Sequence, residues 1–271
     1  DFTQPSLQTI LRINLDGTEK NMEKITSRKN EYIRALRLLA SDGEYRRERG
    51  EYVCDGMKPL REALSFGAEV TSVLWKNGAQ ELTGLERMAQ YLAEAELFDY
   101  ASPMKNSPGP VFTVKIPPED AAAPIKNALV LETVQDPGNV GTVIRSASAF
   151  GVGAVILTGE CADLYNPKTV RATMGAIFRQ RVICCPLAGL APLLEKNGMA
   201  LYGAALSPRA ADIRALELRN SAVAVGSEGR GLSRELLELC AGELIIPMRP
   251  CSESLNAAVA ASLVMWEMAR G

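Results

Sequence analysis

The pattern of apolar and polar residues predicts two α/β regions, and the second is the more regular. From residue 128 onward, apolar runs alternate with segments of helical periodicity; the runs are ALVLET, GAVILTG, QRVICC, ALYGAA, SAVAVG and ELIIPM. Continuous apolar strands separated by helices are typical of a mostly parallel sheet that is covered on both faces. The sequence therefore predicts an α/β domain with a mostly parallel sheet over 128–271.

The preceding residues have the pattern of a smaller α/β domain. Segment 24–49 begins with a helical pattern in which Ile33, Leu36 and Ala40 share a stripe. The runs EYVCDG, VTSVLW, ELFDY and PVFTVKI look like short strands with helical segments between them. The segment PPEDAAAPIKN has three prolines, three alanines and no periodicity, as linkers do. The predicted divisions are an extension or tag-like segment (1–23), a small domain (24–116), a linker (117–127) and the large domain (128–271).

The amino-acid composition excludes several kinds of catalytic and metal-binding site. The 271 residues include no histidine, which excludes Ser-His-Asp and Cys-His nucleophiles and histidine-ligated metal sites. The six cysteines form no C-x-x-C pair, so we expect no metal site. Cys184 and Cys185 lie in a strand-like run and are predicted to be buried and reduced, as in a cytoplasmic protein. No apolar run reaches the roughly 18 residues that a membrane span needs, so no membrane partner is expected.

Charge is distributed unevenly. The formal net charge of −2 excludes a uniformly basic nucleic-acid-binding protein. Segment 24–49, however, contains eight Lys/Arg against four Asp/Glu, a local charge of +4. This segment is either a solvated helix surface or a basic surface for a partner.

Ligands of parallel sheets bind at the carboxyl ends of the strands, and the turn after the first large-domain strand is polar. With Asn139 as the N-cap of the next helix, one apolar stripe is predicted at Val140, Val143, Ile144, Ala147 and Phe150. Arg145 lies about 100° off that stripe and should not belong to the core. Asn139 is either an ordinary cap or a functional residue, and Arg145 either a surface arginine or a functional one.

Two later turns have the same character. The strand AVAV ends at Gly226, and a loop with three glycines in six residues carries Glu228 and Arg230. GxGxxG and GxxxxGK[ST] are absent, which argues against a nucleotide-cofactor dehydrogenase and a P-loop enzyme. Another strand ends at Ile246-Pro247-Met248, and SESLN opens a C-terminal helix with Ser254 and Asn256 at its start. The predicted buried face of that helix is Leu255, Ala258, Val259, Ser262, Leu263 and Trp266.

These three turns carry a resemblance to a known family. DPGNVGTVIRSASAFG, VGSEGRGLS and IPMRPCSESLNAAVAASLVMWE resemble, in order, the three motifs of the SpoU-type (TrmH-like) branch of the SPOUT RNA methyltransferases. NPKTVRATMGAIFR at 166–179 resembles the stretch between the first two motifs. The segment from SRKNEYIRALRLLA to KPLREAL resembles the substrate-binding domain of the ribosomal-protein-L30e type that precedes many members.

The resemblance implies a trefoil knot in the large domain, S-adenosylmethionine as cofactor, a homodimer, and methylation of a ribose 2′-hydroxyl, most simply in ribosomal RNA. Competing interpretations are a transfer-RNA 2′-O-methyltransferase and a non-catalytic RNA-binding or ribosome-assembly factor. By motif position, the cofactor contacts are Gly226, Ile246, Met248, Leu255 and Asn256.

The same motif positions imply catalytic roles. Arg145 would bind a substrate phosphate and stabilise the developing alkoxide, since arginine stays protonated in proteins. Asn139 would fix Arg145 or the ribose, and Glu228 would anchor the site or a dimer contact. Ser254 and Asn256 would hydrogen-bond the cofactor or the substrate.

Overall fold

The computed structural model describes residues 22–78, 85, 88–118, 123–249 and 254–270. They form two compact units that divide after Pro117. The predicted extension lies outside the described residues except for its last two positions, and so do residues 119–122 of the predicted linker. The end of that linker is packed, since Ile125 is buried and its N–H donates to Asn197 Oδ1 at 2.7 Å.

The first unit is built on a mixed five-stranded sheet with the order β1-β4-β3-β5-β2. Its strands are β1 (Glu23–Ile25), β2 (Glu51–Asp55), β3 (Val70–Lys76), β4 (Ala89–Ala93) and β5 (Val111–Lys115). Its helices are α1 (Glu31–Ser41), α2 (Gly43–Arg49), α3 (Met57–Ser65) and α4 (Ala95–Ala101). Strand β5 is antiparallel to β2 and β3, whereas β4 is parallel to β1 and β3.

The strand prediction for ELFDY is wrong, because these residues lie in helix α4. Leu97, Phe98 and Ala101 are buried, and their spacing of one helical turn directs them to the same core. In α1 the buried residues are Ile33, Leu36 and Leu39 rather than Ala40. Short apolar segments such as ELFDY satisfy both periodicities, so the period alone does not decide between them.

The second unit contains a seven-stranded sheet with the order β10-β12-β9-β11-β6-β7-β8, and every described strand pair in it is parallel. Its strands are β6 (Ala128–Glu132), β7 (Ala154–Thr158), β8 (Val182–Cys184), β9 (Ala200–Ala204), β10 (Ala211–Asp212), β11 (Ser221–Val225) and β12 (Gly242–Ile245). Its helices are α5 (Pro137–Phe150), α6 (Pro167–Ala172), α7 (Leu187–Lys196), α8 (Arg234–Glu238) and α9 (Ala257–Arg270). The predicted α/β class with a mostly parallel second sheet is confirmed.

Helices cover both faces of this sheet. One core combines residues of α5 and α9 with one face, and a second combines residues of α7 and α8 with the other. Strands β6, β7 and β11 are buried along their whole length, which explains their continuous apolar sequences. Because the strands are parallel, the turns after β6, β11 and β12 all lie at the carboxyl edge.

The predicted burial of Cys184 and Cys185 is wrong. Strand β8 is at the edge of the sheet, where Cys184 is exposed and Cys185 is half-buried. An edge strand has a neighbour on one side alone, and an apolar sequence does not reveal that position. The trefoil knot stays a prediction, since the connection from β12 to α9 includes residues 250–253, outside the described ranges.

Candidate active site

The first polar turn places Asn139 inside helix α5. The N-cap is Asp136, whose Oδ1 accepts from the backbone N–H of Asn139 at 2.8 Å. Pro137 occupies the first helical position, where a missing N–H costs nothing and the fixed φ suits a helix. The prediction that Asn139 caps the helix is therefore wrong, and its side chain is available for other contacts.

The second turn is a closed loop of residues 226–232. The backbone N–H of Gly231 donates to Ser227 O at 2.9 Å, and Gly231 has a φ of +65°. A Cβ placed on Gly226 would lie 2.1 Å from the carbonyl oxygen of Gly231, so no side chain fits there. The loop thus depends on glycine at both positions, and its tip carries Glu228.

Glu228 joins the three turns. Its Oε1 accepts from Asn139 Nδ2 at 2.8 Å, from Asn256 Nδ2, and from the backbone N–H of Ala257 at 3.2 Å. Asn256 Nδ2 also donates to Asn139 Oδ1 at 3.1 Å. Three of the predicted site residues, far apart in sequence, therefore form one cluster at the carboxyl edge of the sheet.

Helix α9 begins beside this cluster. Asn256 Oδ1 accepts from the backbone N–H groups of Ala258 and Val259 at 3.0 and 3.2 Å, so Asn256 both caps the helix and holds Glu228. The buried residues of α9 are Ala257, Ala258, Ala261, Val264, Met265 and Met268. The predicted buried face is wrong for Val259, Leu263 and Trp266, which are exposed.

Arg145 is exposed on α5 and, within the described ranges, makes no hydrogen bond or ion pair. It follows Asn139 by six residues, about 9 Å further along the helix axis, and it does not join the Glu228 cluster. Its neighbour Ser146 contacts α9, through a 3.0 Å hydrogen bond between the hydroxyls of Ser262 and Ser146. The predicted stripe of α5 is correct at Val140, Val143, Ile144 and Ala147, which are all buried, whereas Phe150 is half-buried.

A cavity of about 420 Å³ lies against the glycine-containing loop. Four of the predicted cofactor contacts line it, namely Gly226, Ile246, Met248 and Leu255, and so does Ser254. Asn256 is adjacent in sequence to this wall but does not line the cavity. The size is that of a small-molecule site.

The walls of this cavity fit S-adenosylmethionine chemically. Leu232, Leu237 and Leu244 supply apolar surface for a purine ring, and the loop backbone supplies hydrogen-bonding groups. Glu228 also lines the cavity, where a carboxylate is compatible with a positively charged sulfonium. Sequence reasoning missed these leucines and residues 204–206, because β9 contributes to the site through its position between β11 and β12.

A second cavity, of about 440 Å³, adjoins the first. The two share residues 227–230 and Ala257, and the second is also lined by Gln135, Asp136, Asn139 and Glu160. The wall between the cavities therefore carries Glu228, and most of the residues that line the second cavity are of polar type. Two adjoining cavities can hold a donor and an acceptor side by side.

Thiol chemistry is disfavoured here. Burial raises the pKa of Cys161, which follows β7 at the same edge, and raises the pKa of Cys240 to about 11. Both therefore stay protonated at neutral pH and are poor nucleophiles. Within the described ranges, no three His, Cys, Asp or Glu residues form a group that could hold a metal ion. None of the helices in those ranges has the length and apolar character that a membrane span requires.

Two proteins named as 23S rRNA methyltransferases are similar to this chain in sequence. The 23S rRNA (guanosine(2553)-2′-O)-methyltransferase RlmP of Bacillus subtilis is 32% identical over 248 residues, 91% of this chain and 99% of that protein. The 23S rRNA (uridine(2479)-2′-O)-methyltransferase of Streptomyces viridochromogenes is 28% identical over 264 residues, 91% of this chain and 92% of that protein.

Solved structures and a family model give the same assignment. The crystal structure of the SpoU methyltransferase AviRb from Streptomyces viridochromogenes with the cofactor AdoMet has a TM-score of 0.77 at 25% identity, covering 89% of this chain and 98% of that one. The model of the SpoU rRNA methylase family matches residues 126–266, which include all three polar turns. The chain belongs to the SpoU rRNA methylase family.

Proposed function

We propose that this protein transfers a methyl group from S-adenosylmethionine to a ribose 2′-hydroxyl in ribosomal RNA. The observation that carries the proposal is the cluster of Asn139, Glu228 and Asn256 on the wall between two adjoining cavities. Relatives that match the chain along nearly its whole length are named as 23S rRNA 2′-O-methyltransferases, which supports this substrate class. Because ribosomal RNA is the substrate, the proposed location is the cytoplasm.

The cofactor would be held in the first cavity by Gly226, Ile246, Met248 and Leu255. When bound, S-adenosylmethionine supplies an activated methyl group, and this reaction needs no metal. The acceptor hydroxyl must lie in line behind that methyl, so the ribose belongs in the adjoining second cavity. Positioning of the two groups by residues 227–230 can then supply much of the rate enhancement.

The polar residues of the site have different proposed roles. Three donors converge on Glu228 Oε1, so its role is to hold Asn139 and Asn256 rather than to move a proton. Arg145 is exposed and positively charged, which suits the binding of a substrate phosphate. It lines neither cavity, so its proposed stabilisation of the developing alkoxide requires the side chain to reach the ribose when RNA binds. Ser254, at the rim of the first cavity, would hydrogen-bond the cofactor or the substrate.

The exposed apolar face of α9 supports a homodimer. Val259, Leu263 and Trp266 are 48%, 43% and 57% exposed, and Trp266 packs edge-on against Phe150 at 5.8 Å between ring centroids. Large apolar side chains grouped on one helix face mark an interface rather than a solvated surface. A second copy of the chain is the proposed occupant, and Arg145 on the adjacent α5 would lie near that interface.

The first unit is proposed to bind RNA, as an L30e-type domain would. Part of the positive charge of 24–49 is used internally: Arg46 is buried and donates to Leu39 O, and Arg28 pairs with Glu96 at 2.6 Å. Lys24 pairs with Glu94, and Arg37 donates to Tyr100 O. The exposed cations of 24–49 without such a partner among the described residues are Lys29, Arg34, Arg47 and Arg49, and these can meet phosphates.

The decisive experiment is to map ribose 2′-O-methyls in ribosomal and transfer RNA from cells with and without the gene. One ribosomal site that disappears with the gene, and is restored in vitro by purified protein and S-adenosylmethionine, is the expected result. Loss of a methyl from transfer RNA would establish the transfer-RNA alternative. Unchanged methylation together with tight RNA binding would establish a non-catalytic factor.

A further inference from the structure

Glu132 is a buried carboxylate that none of the proposed catalytic roles uses. It ends strand β6 and is 6% exposed. Both of its oxygens are bound to one residue: Oε2 accepts from the backbone N–H of Ser233 at 2.7 Å, and Oε1 accepts from the Ser233 hydroxyl at 2.6 Å. The same hydroxyl accepts from the backbone N–H of Leu236 at 3.1 Å and so caps helix α8.

The contact between Glu132 and Ser233 holds one end of the loop that lines the first cavity. Ser233 directly follows the loop 226–232, every residue of which lines the first cavity. The other end of the loop follows Val225, which pairs with Leu131, the residue before Glu132. Both ends of the loop are therefore fastened to the last two residues of β6, one by the strand ladder and the other by the Glu132 carboxylate.

We propose that Glu132 is a positioning residue that holds this loop in its cofactor-binding shape. The inference rests on the proposed function, because it assigns the first cavity to S-adenosylmethionine. A loop with three glycines in seven residues has many unfolded conformations. When both ends of the loop are held, most of these conformations are excluded before the ligand binds. Less conformational entropy is therefore lost on binding.

A carboxylate suits this task better than the other acceptors. The two Ser233 donors need two acceptor oxygens, and a carboxyl group offers one to each donor. Glutamine offers one oxygen and an NH₂ group, which would have to donate to the Ser233 hydroxyl. Alanine removes both acceptors and leaves the Ser233 N–H without its partner.

The test is a double-mutant cycle read by calorimetry, with S-adenosylhomocysteine as the probe and the full chain as the protein. We expect Glu132→Ala to raise the Kd at least tenfold, Ser233→Ala to raise it less, and the double variant to match Glu132→Ala within twofold. Glu132→Gln should fall between wild type and Glu132→Ala. In steady-state assays the KM for S-adenosylmethionine should rise by the same factor, with the KM for RNA unchanged.

Asn197→Ala is the matched control. Its side chain also links distant segments, accepting from Ile125 N and donating to Leu193 O at 2.8 Å, but at the amino edge of the sheet. It should lower the thermal midpoint and leave the Kd unchanged. A Kd of Glu132→Ala within twofold of wild type, or an equal rise in Asn197→Ala, overturns the inference.

Two further outcomes are distinct from these. If wild type binds no S-adenosylhomocysteine at millimolar concentration, the proposed function itself fails. If Glu132→Ala does not fold, Ser233→Ala and Glu132→Gln decide, and wild-type Kd values for both overturn the inference.

Discussion

Gly226→Ala is the substitution whose effect follows most directly from the geometry. The new Cβ would lie 2.1 Å from the carbonyl oxygen of Gly231, and ordinary contact begins at 3.4 Å. The obstructing atoms are backbone, so the loop must move by more than 1 Å. That movement breaks the 2.9 Å hydrogen bond from Gly231 N–H to Ser227 O.

The free energy lost on cofactor binding can be summed from the broken hydrogen bond and the strain of the added methyl group. A lost hydrogen bond is worth about 1 kcal/mol, and the strain of an added methyl group is about 1–3 kcal/mol. Because the loop lies outside the carboxyl end of β11, the variant can fold with the loop open. Cofactor binding must then close the loop. The sum of about 2–4 kcal/mol corresponds to a Kd for S-adenosylhomocysteine roughly 30- to 700-fold higher than in wild type.

Calorimetry measures this Kd, and Gly242→Ala is the control. A Cβ on Gly242 would meet the Tyr202 ring at 3.5 Å, which is ordinary contact, and Gly242 lines neither cavity. Gly242→Ala should therefore bind nearly as wild type does. If Gly226→Ala binds within threefold of wild type, or if both variants lose affinity equally, the reasoning from loop closure is refuted.

Three other predictions address the reaction, the dimer and the RNA. Arg145→Ala should leave the free energy of unfolding within about 0.5 kcal/mol of wild type, yet slow methyl transfer at least about a hundredfold; a fully active variant would make Arg145 an ordinary surface residue. Trp266→Asp should convert the dimer to a monomer in sedimentation analysis, and an unchanged dimer would place the interface elsewhere. The double variant Arg34→Ala/Arg47→Ala should weaken RNA binding and reduce the slope of log K against log salt concentration by about two. A chain beginning at Pro118 should still bind S-adenosylhomocysteine but lose most RNA affinity. Unchanged RNA affinity in both proteins would assign RNA recognition to the second unit.

The sequence by itself determined much of the second unit. Strands β6, β7 and β11 are continuously apolar because both of their faces are covered, and that pattern predicts a parallel sheet without any knowledge of strand order. The buried stripe of α5 and the exposure of Arg145 follow from the 3.6-residue period. The three motifs identified the family because they are specific in residue type and in order.

Predictions from local sequence patterns were wrong where one pattern fitted two conformations, or two faces of a helix, equally well. Pro137 and Asp136 start α5 earlier than a cap at Asn139 would, and ELFDY has a period that suits a helix as well as a strand. Helix α9 is apolar on more than one face, so periodicity could not show that alanines face the core and Trp266 faces outward.

The tertiary structure alone decided which side chains meet. Asn139, Glu228 and Asn256 come together because β6, β11 and β12 end at one edge of the sheet, and no local signal encodes the order of those strands. The contact between Glu132 and Ser233 spans 101 residues and follows from β11 lying directly beside β6. A sequence pattern reports how each segment meets the core, whereas contacts between turns depend on how the chain crosses from strand to strand.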